Sequence, residues 1–223
     1  MAVAPITLIL IAVTVLISWK AFSDPEFRAN SLFVPAMIKN RGENHRWVSA
    51  GFIHADWMHL IFNMYALYIF GPYVERAFTS GLADRTLGLF QEPIFGPVVG
   101  GLLYVLFYVV SIPAASYASY KQHQDNYGYS ALGASGAVAA MMWPLIFLMP
   151  WAPIFWGFIP PIVLGVGYIL YSNYADKRGG SRIGHSAHLW GAVFGLVAYT
   201  AICAAFAPEV LGNFMIKLTN PVF

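Results

Sequence analysis

The chain has 223 residues, 59% of them apolar and only 10% charged, against roughly 45–50% and 25% in soluble domains. Its 12 basic and 10 acidic side chains leave a net charge of +2, too few to coat a soluble globule and too balanced to bind nucleic acid. Disordered and collagenous chains are excluded by the same numbers, and the single cysteine, Cys203, excludes an intrachain disulfide and a multi-cysteine metal site.

What remains is an all-α, polytopic membrane protein, read as one domain over residues 1–223. A helix needs about 20 mostly apolar residues to cross the hydrocarbon core. The first span is expected at about 5–22; it lacks a basic leader, and no A-x-A-like site follows Lys20, so it reads as a retained span rather than a signal peptide. The loop from about 23 to 58 is the longest and carries Phe27, Phe33, Trp47, Phe52 and Trp57, as a segment lying in the membrane interface does. The second span is expected at about 59–78 and the third at about 94–117, followed by a polar loop over 119–130. The apolar stretch 131–174 is too long for one crossing, and Pro150 and Pro153 divide it. This gives a short fourth span, about 135–149, and a fifth, about 154–174, bent at Pro160-Pro161. The sixth runs over about 187–206. No repeat is visible and no soluble domain is expected at either end, so any chemistry sits in the bundle.

Polar side chains inside such spans are costly and therefore conspicuous. His59 and Asn63 open the second span, four residues apart and so on one helix face. Ser135 opens the fourth, within Gly133-Ala134-Ser135-Gly136, and His188 opens the sixth. Gly191 and Gly195 follow His188 on roughly its face and admit a neighbouring helix closely; Gly136 and Ala139-Ala140 of the fourth span offer a matching small surface. Six spans alternate in direction, so the second, fourth and sixth start on one side. His59, Asn63, Ser135 and His188 then lie at similar depth. A serine needs an adjacent base to become a nucleophile, and histidine is the usual one. The N–H groups at a helix start, with His59 and Asn63, can stabilise an oxyanion. No carboxylate lies within the spans near His188, which points to a dyad.

These residues resemble the rhomboid family of intramembrane serine proteases. Gly133-Ala134-Ser135-Gly136 fits its G-x-S-G motif, and Ala187-His188-Leu189-Trp190-Gly191 with Gly195 fits A-H-x-x-G-x-x-x-G. His54 with His59-x-x-x-Asn63 fits H…H-x-x-x-N, and Gly71-x-x-x-Glu75 resembles the pattern at the far end of the second helix. The likeness covers about residues 46–200. It implies a six-helix rhomboid-like bundle of the minimal bacterial type, with Ser135 as nucleophile, His188 as general base, and His59, Asn63 and the Ser135 N–H as oxyanion hole. His54, Gly133, Gly136, Gly191 and Gly195 would support the site. It further implies single-span membrane proteins as substrates, no metal or cofactor, and the fifth helix and the loop after it as gate and cap. In the first loop Arg46 is preceded by His45 and followed by Trp47, where the family often has Trp-Arg.

The other histidines, His45, His123 and His185, read as loop residues, Met141-Met142 as filler, and Cys203 as inert packing. Two rivals stand beside the protease. One is a catalytically silent rhomboid-like binding protein. The other is a metal-dependent membrane protein using His54, His59, His185 and His188; against it, no H-E-x-x-H occurs and Glu75 lies at the other end of its span. Size and the minimal architecture point to a bacterial plasma membrane, and the family resemblance implies a site opening outward. The positive-inside rule opposes that orientation: Arg76, Arg85 and Lys217 fall on the inner side. Lys20, Arg28, Lys39, Arg41, Arg46, Lys121, Lys177, Arg178 and Arg182 fall on the outer. Setting aside the interfacial first loop and its border (Lys20, Arg28, Lys39, Arg41 and Arg46) leaves 3 against 4.

Overall fold

The computed structural model describes residues 4–84, 89–152, 159–178 and 185–220. Its helices are α1 (Pro5–Ser23), α2 (Pro25–Ser31), α3 (Pro35–Arg41), α4 (Arg46–Ser49), α5 (Trp57–Thr79), α6 (Pro97–His123), α7 (Ser135–Ala140), α8 (Trp143–Leu148), α9 (Pro161–Arg178), α10 (His185–Phe206) and α11 (Pro208–Thr219). A 3-10 turn over Ala50–Phe52 follows α4. Two short antiparallel strands, β1 (Leu82–Asp84) and β2 (Leu89–Gln91), join α5 to α6, with Leu82 opposite Gln91; the all-helical expectation holds apart from this hairpin.

Among the described residues, three helices are long and apolar enough to cross a membrane on those grounds alone: Pro5–Ser23, Pro97–His123 and Ser186–Phe206. Their outer faces carry Leu8, Ile9, Leu16, Leu102, Leu106 and Val197 exposed, which lipid accommodates and water does not. α5 presents Ile61, Phe62, Tyr65 and Tyr68 outward and buries Leu60, Met64, Leu67 and Val74.

The segment expected as a single fourth span is two short helices, α7 and α8, separated by Met141 and Met142. Pro144 falls in the first turn of α8, and its missing N–H interrupts the ladder there. Every residue from 136 to 150 is buried. The run has no polar face to turn outward, so the other helices enclose it on all sides.

α9 differs from the expected fifth span. Pro161 does not bend a longer helix; it is the first residue of α9, where proline costs nothing because the N–H has no intrahelical partner. Residues 153–158, the first part of that expected span, lie outside the described residues. α6 runs on to His123, taking the start of the expected third loop into the helix.

The last expected span ends at about 206, yet α11 follows. Pro208 opens it and Val210 is buried, with Leu211 and Phe214 packed on the core. Lys217 Nζ donates to Leu148 O at 2.8 Å and Trp151 Nε1 donates to Leu218 O at 3.3 Å, tying α11 to the end of α8.

One buried carboxylate holds the far end of the bundle together. Glu75, 4% exposed, accepts from Ile6 N at 3.0 Å, Thr7 N at 2.8 Å and Thr7 Oγ1 at 2.7 Å. α1 has no side-chain cap of its own, so Glu75 satisfies its unpaired N–H groups and complements the positive end of its dipole. Gly71, one turn back on α5, makes room: a Cβ there would lie 2.6 Å from Thr7 Cγ2 and 2.8 Å from Tyr104 OH. The Gly71-x-x-x-Glu75 spacing is thus the α1 contact face of α5.

Candidate active site

The first loop anchors the site. Arg46 is 3% exposed; its Nε donates to Glu43 Oε2 at 2.6 Å, and NH1 donates to Ala29 O and Leu32 O, both at 2.8 Å. The guanidinium also holds the Glu43 carboxyl below its usual range. Trp47 packs its ring 5.3 Å from Phe33 and 4.8 Å from Tyr120 of α6. The folded loop then straps the stretch before Ser135. Phe33 and Ala131 exchange two backbone hydrogen bonds at 3.0 Å, and Gly133 N donates to Ala50 O at 2.9 Å.

His54 completes the strap. It is fully buried. Ala134 N donates to His54 Nε2 at 3.3 Å, which makes Nε2 an acceptor and leaves the proton on Nδ1. Nδ1 lies 2.9 Å from Ser18 Oγ, and that hydroxyl donates to Phe52 O at 2.9 Å. A continuous relay therefore runs from the residue before Ser135 through a neutral imidazole to α1. Burial, with His59 adding to it, pushes the His54 pKa down to about 3.

His59 sits in the first turn of α5, whose start is capped by the Asp56 carboxylate on His59 N at 2.8 Å. Its ring lies 5.0 Å from that of His54 and directly over Gly133: a Cβ on Gly133 would be 2.6 Å from His59 Cε1 and 3.0 Å from Nε2. Gly133 has φ +117°, which only glycine adopts readily. Ala55 N approaches His59 Nδ1 at 3.5 Å, the arrangement that leaves Nε2–H to donate toward the loop. Asn63, 6% exposed, gives one Nδ2 proton to His59 O at 2.8 Å and keeps the other.

Ser135 is the first residue of α7, so its N–H has no partner within the helix. Its side chain is partly exposed. α10 passes close behind. A Cβ on Gly136 would lie 3.0 Å from Ala187 O, the residue before His188; one on Gly191 would collide with Gly136 O and come within 2.8 Å of its Cα; one on Gly195 would lie 2.5 Å from Ala140 Cα. Glycine at these positions brings the Ser135 and His188 helix starts side by side. No hydrogen bond joins Ser135 Oγ to His188 or to any other described residue. His188 is instead faced by Tyr168 of α9, ring centroids 5.8 Å apart and 25° from parallel.

His45 and His123 lie apart from this cluster. His45 bonds Asn30 O at 3.0 Å, and His123 stacks on Tyr129 at 3.8 Å. The His185 side chain is outside the described residues. Both ring nitrogens of His54 are engaged, which removes it from the ligand set of the metal reading. Cys203 is a free, fully buried thiol. Sequence reasoning missed Ser18, Arg46 and Tyr168. Ser18 acts on a backbone carbonyl and on the distant His54 side chain, Arg46 on two backbone carbonyls and the nearby Glu43, and Tyr168 is one tyrosine among 13.

Residues 41–205 match the Rhomboid domain family. A curated relative, RHOMBOID-like protein 12, mitochondrial, from Arabidopsis thaliana, is 30% identical over 191 residues, covering 84% of this chain and 55% of the relative. The chain thus spans about half the length of that relative.

Proposed function

Because the chain belongs to the rhomboid family, whose members are integral membrane proteins, we propose that it is an intramembrane serine endopeptidase working through a Ser135–His188 dyad. The observation that supports this reading is the glycine seam of α7 and α10, where Gly136 meets Ala187 and Gly191 meets Gly136, with the His59 ring over Gly133.

In this reading His188 takes the proton from Ser135 Oγ as it attacks the scissile carbonyl. The oxygen that becomes anionic is met by the Ser135 N–H, by His59 Nε2–H and by the uncommitted Asn63 Nδ2–H; one such donor supplies about 3–4 kcal/mol of barrier lowering. His188 then returns the proton to the leaving amine, and water releases the acyl group by the same route. The substrate is a single-span membrane protein whose helix unwinds locally, because an intact helix keeps its carbonyls in internal hydrogen bonds. No metal or cofactor is needed.

That Ser135 Oγ makes no hydrogen bond among the described residues favours a second reading, a catalytically silent rhomboid-like binding protein; catalytic hydrogen bonds in free enzymes commonly close only with substrate. A serine-directed fluorophosphonate separates the two. Labelling of the wild type, lost in Ser135→Ala and indifferent to chelator, supports the protease. An unlabelled protein favours the silent reading, and chelator-sensitive cleavage without labelling would move the chemistry to a metal.

For placement, size and the minimal architecture support a bacterial plasma membrane, and the family resemblance supports a site facing outward. The mitochondrial relative supplies the competing one. Fractionation of the native host decides between them.

A further inference from the structure

At the Leu148 end of the α7–α8 unit, away from Ser135, a cavity of about 110 Å³ opens between β2, the end of α8 and α11. A cavity of about 150 Å³ holds a benzene-sized molecule, and cofactor or drug sites start at about 300 Å³. This one therefore suits a group of a few heavy atoms. Its walls are fixed: Phe147 of α8 stacks on Phe214 of α11 with ring centroids 4.3 Å apart and 9° between planes, and Lys217 Nζ holds Leu148 O at 2.8 Å.

The polar lining carries both charges. Glu209, Asn213 and Lys217 line the cavity and, spaced by four, share one face of α11. The acid and the base stand about 12 Å apart along the axis, too far for one ion to reach both. Gln91 and Glu92 line the cavity from the β2 side. Gln91 is 9% exposed, and its Nε2 is buried with no hydrogen-bond partner among the described residues. Tyr199 OH lies near it and is likewise buried without a partner. A buried donor left unmet is costly, and a ligand oxygen would meet this one. Lys217 spends one of its three ammonium donors on Leu148 O. Glu92 and Glu209 are exposed and make no ion pair among the described residues.

Two carboxylates oppose a lone anion and Lys217 opposes a lone cation; a ligand with an anionic oxygen and an ammonium satisfies both ends. The setting selects a lipid. Phe95 packs on Phe206 with centroids 5.1 Å apart, three residues from Glu92 on one segment and three from Glu209 on the other. Beside that contact Val98, Leu102 and Phe206 stand exposed, an apolar flank for acyl chains. A choline headgroup has no N–H to give a carboxylate and is held by aromatic cages, whereas the one aromatic residue lining the cavity, Phe147, already has its face against Phe214.

We propose that this cavity binds the headgroup of phosphatidylethanolamine, with the ammonium on Glu92 and Glu209 and the phosphate on Lys217 and Gln91 Nε2. The site lies at the opposite end of the bundle from Ser135 and does not depend on whether Ser135 and His188 cleave peptides.

The test uses the full chain, delipidated in detergent and titrated with phosphatidylethanolamine, phosphatidylcholine or phosphatidylglycerol of identical acyl chains, with bound lipid counted by native mass spectrometry. The wild type is expected to retain one phosphatidylethanolamine at least about tenfold more tightly than either other lipid. Gln91→Leu should weaken that binding roughly two- to tenfold. The double variant Glu92→Gln, Glu209→Gln should bind phosphatidylethanolamine no better than phosphatidylcholine, and Glu92→Lys, Glu209→Lys should turn the preference to phosphatidylglycerol. Thermal unfolding in phosphatidylcholine reports the fold; if the double Gln variant unfolds early, Glu209→Gln alone replaces it with the same expected loss. Equal retention of the three lipids by the wild type overturns the proposal, as does a phosphatidylethanolamine preference that survives loss of the carboxylates. Soluble phosphoethanolamine, equimolar with the lipid, is the last arm: bound lipid that stays supports a membrane ligand, and displacement overturns the lipid assignment.

Discussion

Ala134 and His54, 80 residues apart in the chain, are joined by a backbone hydrogen bond of 3.3 Å onto a buried imidazole nitrogen. The residue that precedes the candidate nucleophile is thereby fixed to the loop before α5, and through Ser18 to α1.

His54→Ala should release this strap while leaving Ser135 and His188 in place. Two buried hydrogen-bond partners lose their mate, at about 1–3 kcal/mol each. The expected result is lower thermal stability and at least tenfold slower cleavage, with Ser18→Ala milder on both. Wild-type cleavage by His54→Ala, at a lowered unfolding temperature, would leave His54 a purely structural role.

The same residue gives a pH signature. His54 titrates at about 3 in the fold against 6.5 for an ordinary histidine, so between these values the unfolded chain binds the extra proton and the fold does not. Stability from this source is complete above pH 6.5 and lost progressively as pH falls toward 3, by at most about 1.4 kcal/mol per pH unit. Unfolding measured across this window should show a slope that His54→Gln lacks.

At the dyad, Ser135→Ala and His188→Ala should abolish cleavage. Asn63→Ala and His59→Ala should each cost roughly 10²–10³-fold in kcat. Michaelis kinetics on a reconstituted single-span substrate measure both; an Asn63→Ala enzyme changed only in KM would take Asn63 out of the oxyanion hole.

Gly191→Ala is a backbone test. The added methyl meets Gly136 O, so α10 must move off α7. Overpacking of this kind costs typically 1–3 kcal/mol, and here it also separates the helix starts that carry His188 and Ser135. Gly212→Ala on α11, where nothing lies within 4 Å, is the control. Calorimetry and probe labelling should both fall for the first and hold for the second.

Orientation is open to one thiol. Gln122 at the end of α6 is exposed, while the chain's own Cys203 is fully buried. Gln122→Cys should react with an impermeant maleimide from the outer side of the membrane. Reaction only from the inner side would agree with the Lys/Arg distribution and reverse the assigned topology.

How much of this was visible beforehand depends on the kind of signal. His59, Asn63, Ser135 and His188 stand out in sequence because they are polar in apolar runs and start alternate spans; Gly191 stands out through its spacing from His188. Arg46 does not, since its acceptors include the carbonyls of Ala29 and Leu32, and a carbonyl has no letter of its own. The break between α7 and α8 is hidden because Pro144 is as compatible with a helix start as with a kink. Tyr168 looks like any interfacial tyrosine until α9 is laid beside α10. α11, with 12 residues, is too short to give a span signal, although Pro208 marks its first turn.

The enclosed α7–α8 unit carries a final consequence. From Ser135 to Leu148 it measures roughly 21 Å at 1.5 Å per residue, whereas the hydrocarbon layer is about 30 Å deep. A pillar shorter than its ceiling leaves a gap of roughly 9 Å, shared between its two ends. At the Leu148 end α11 is bonded across it. At the Ser135 end the chain arrives through Gly133 and Ala134, held by Ala50 O and His54; in the protease reading, that shortfall is where water would reach a hydroxyl beneath the bilayer surface.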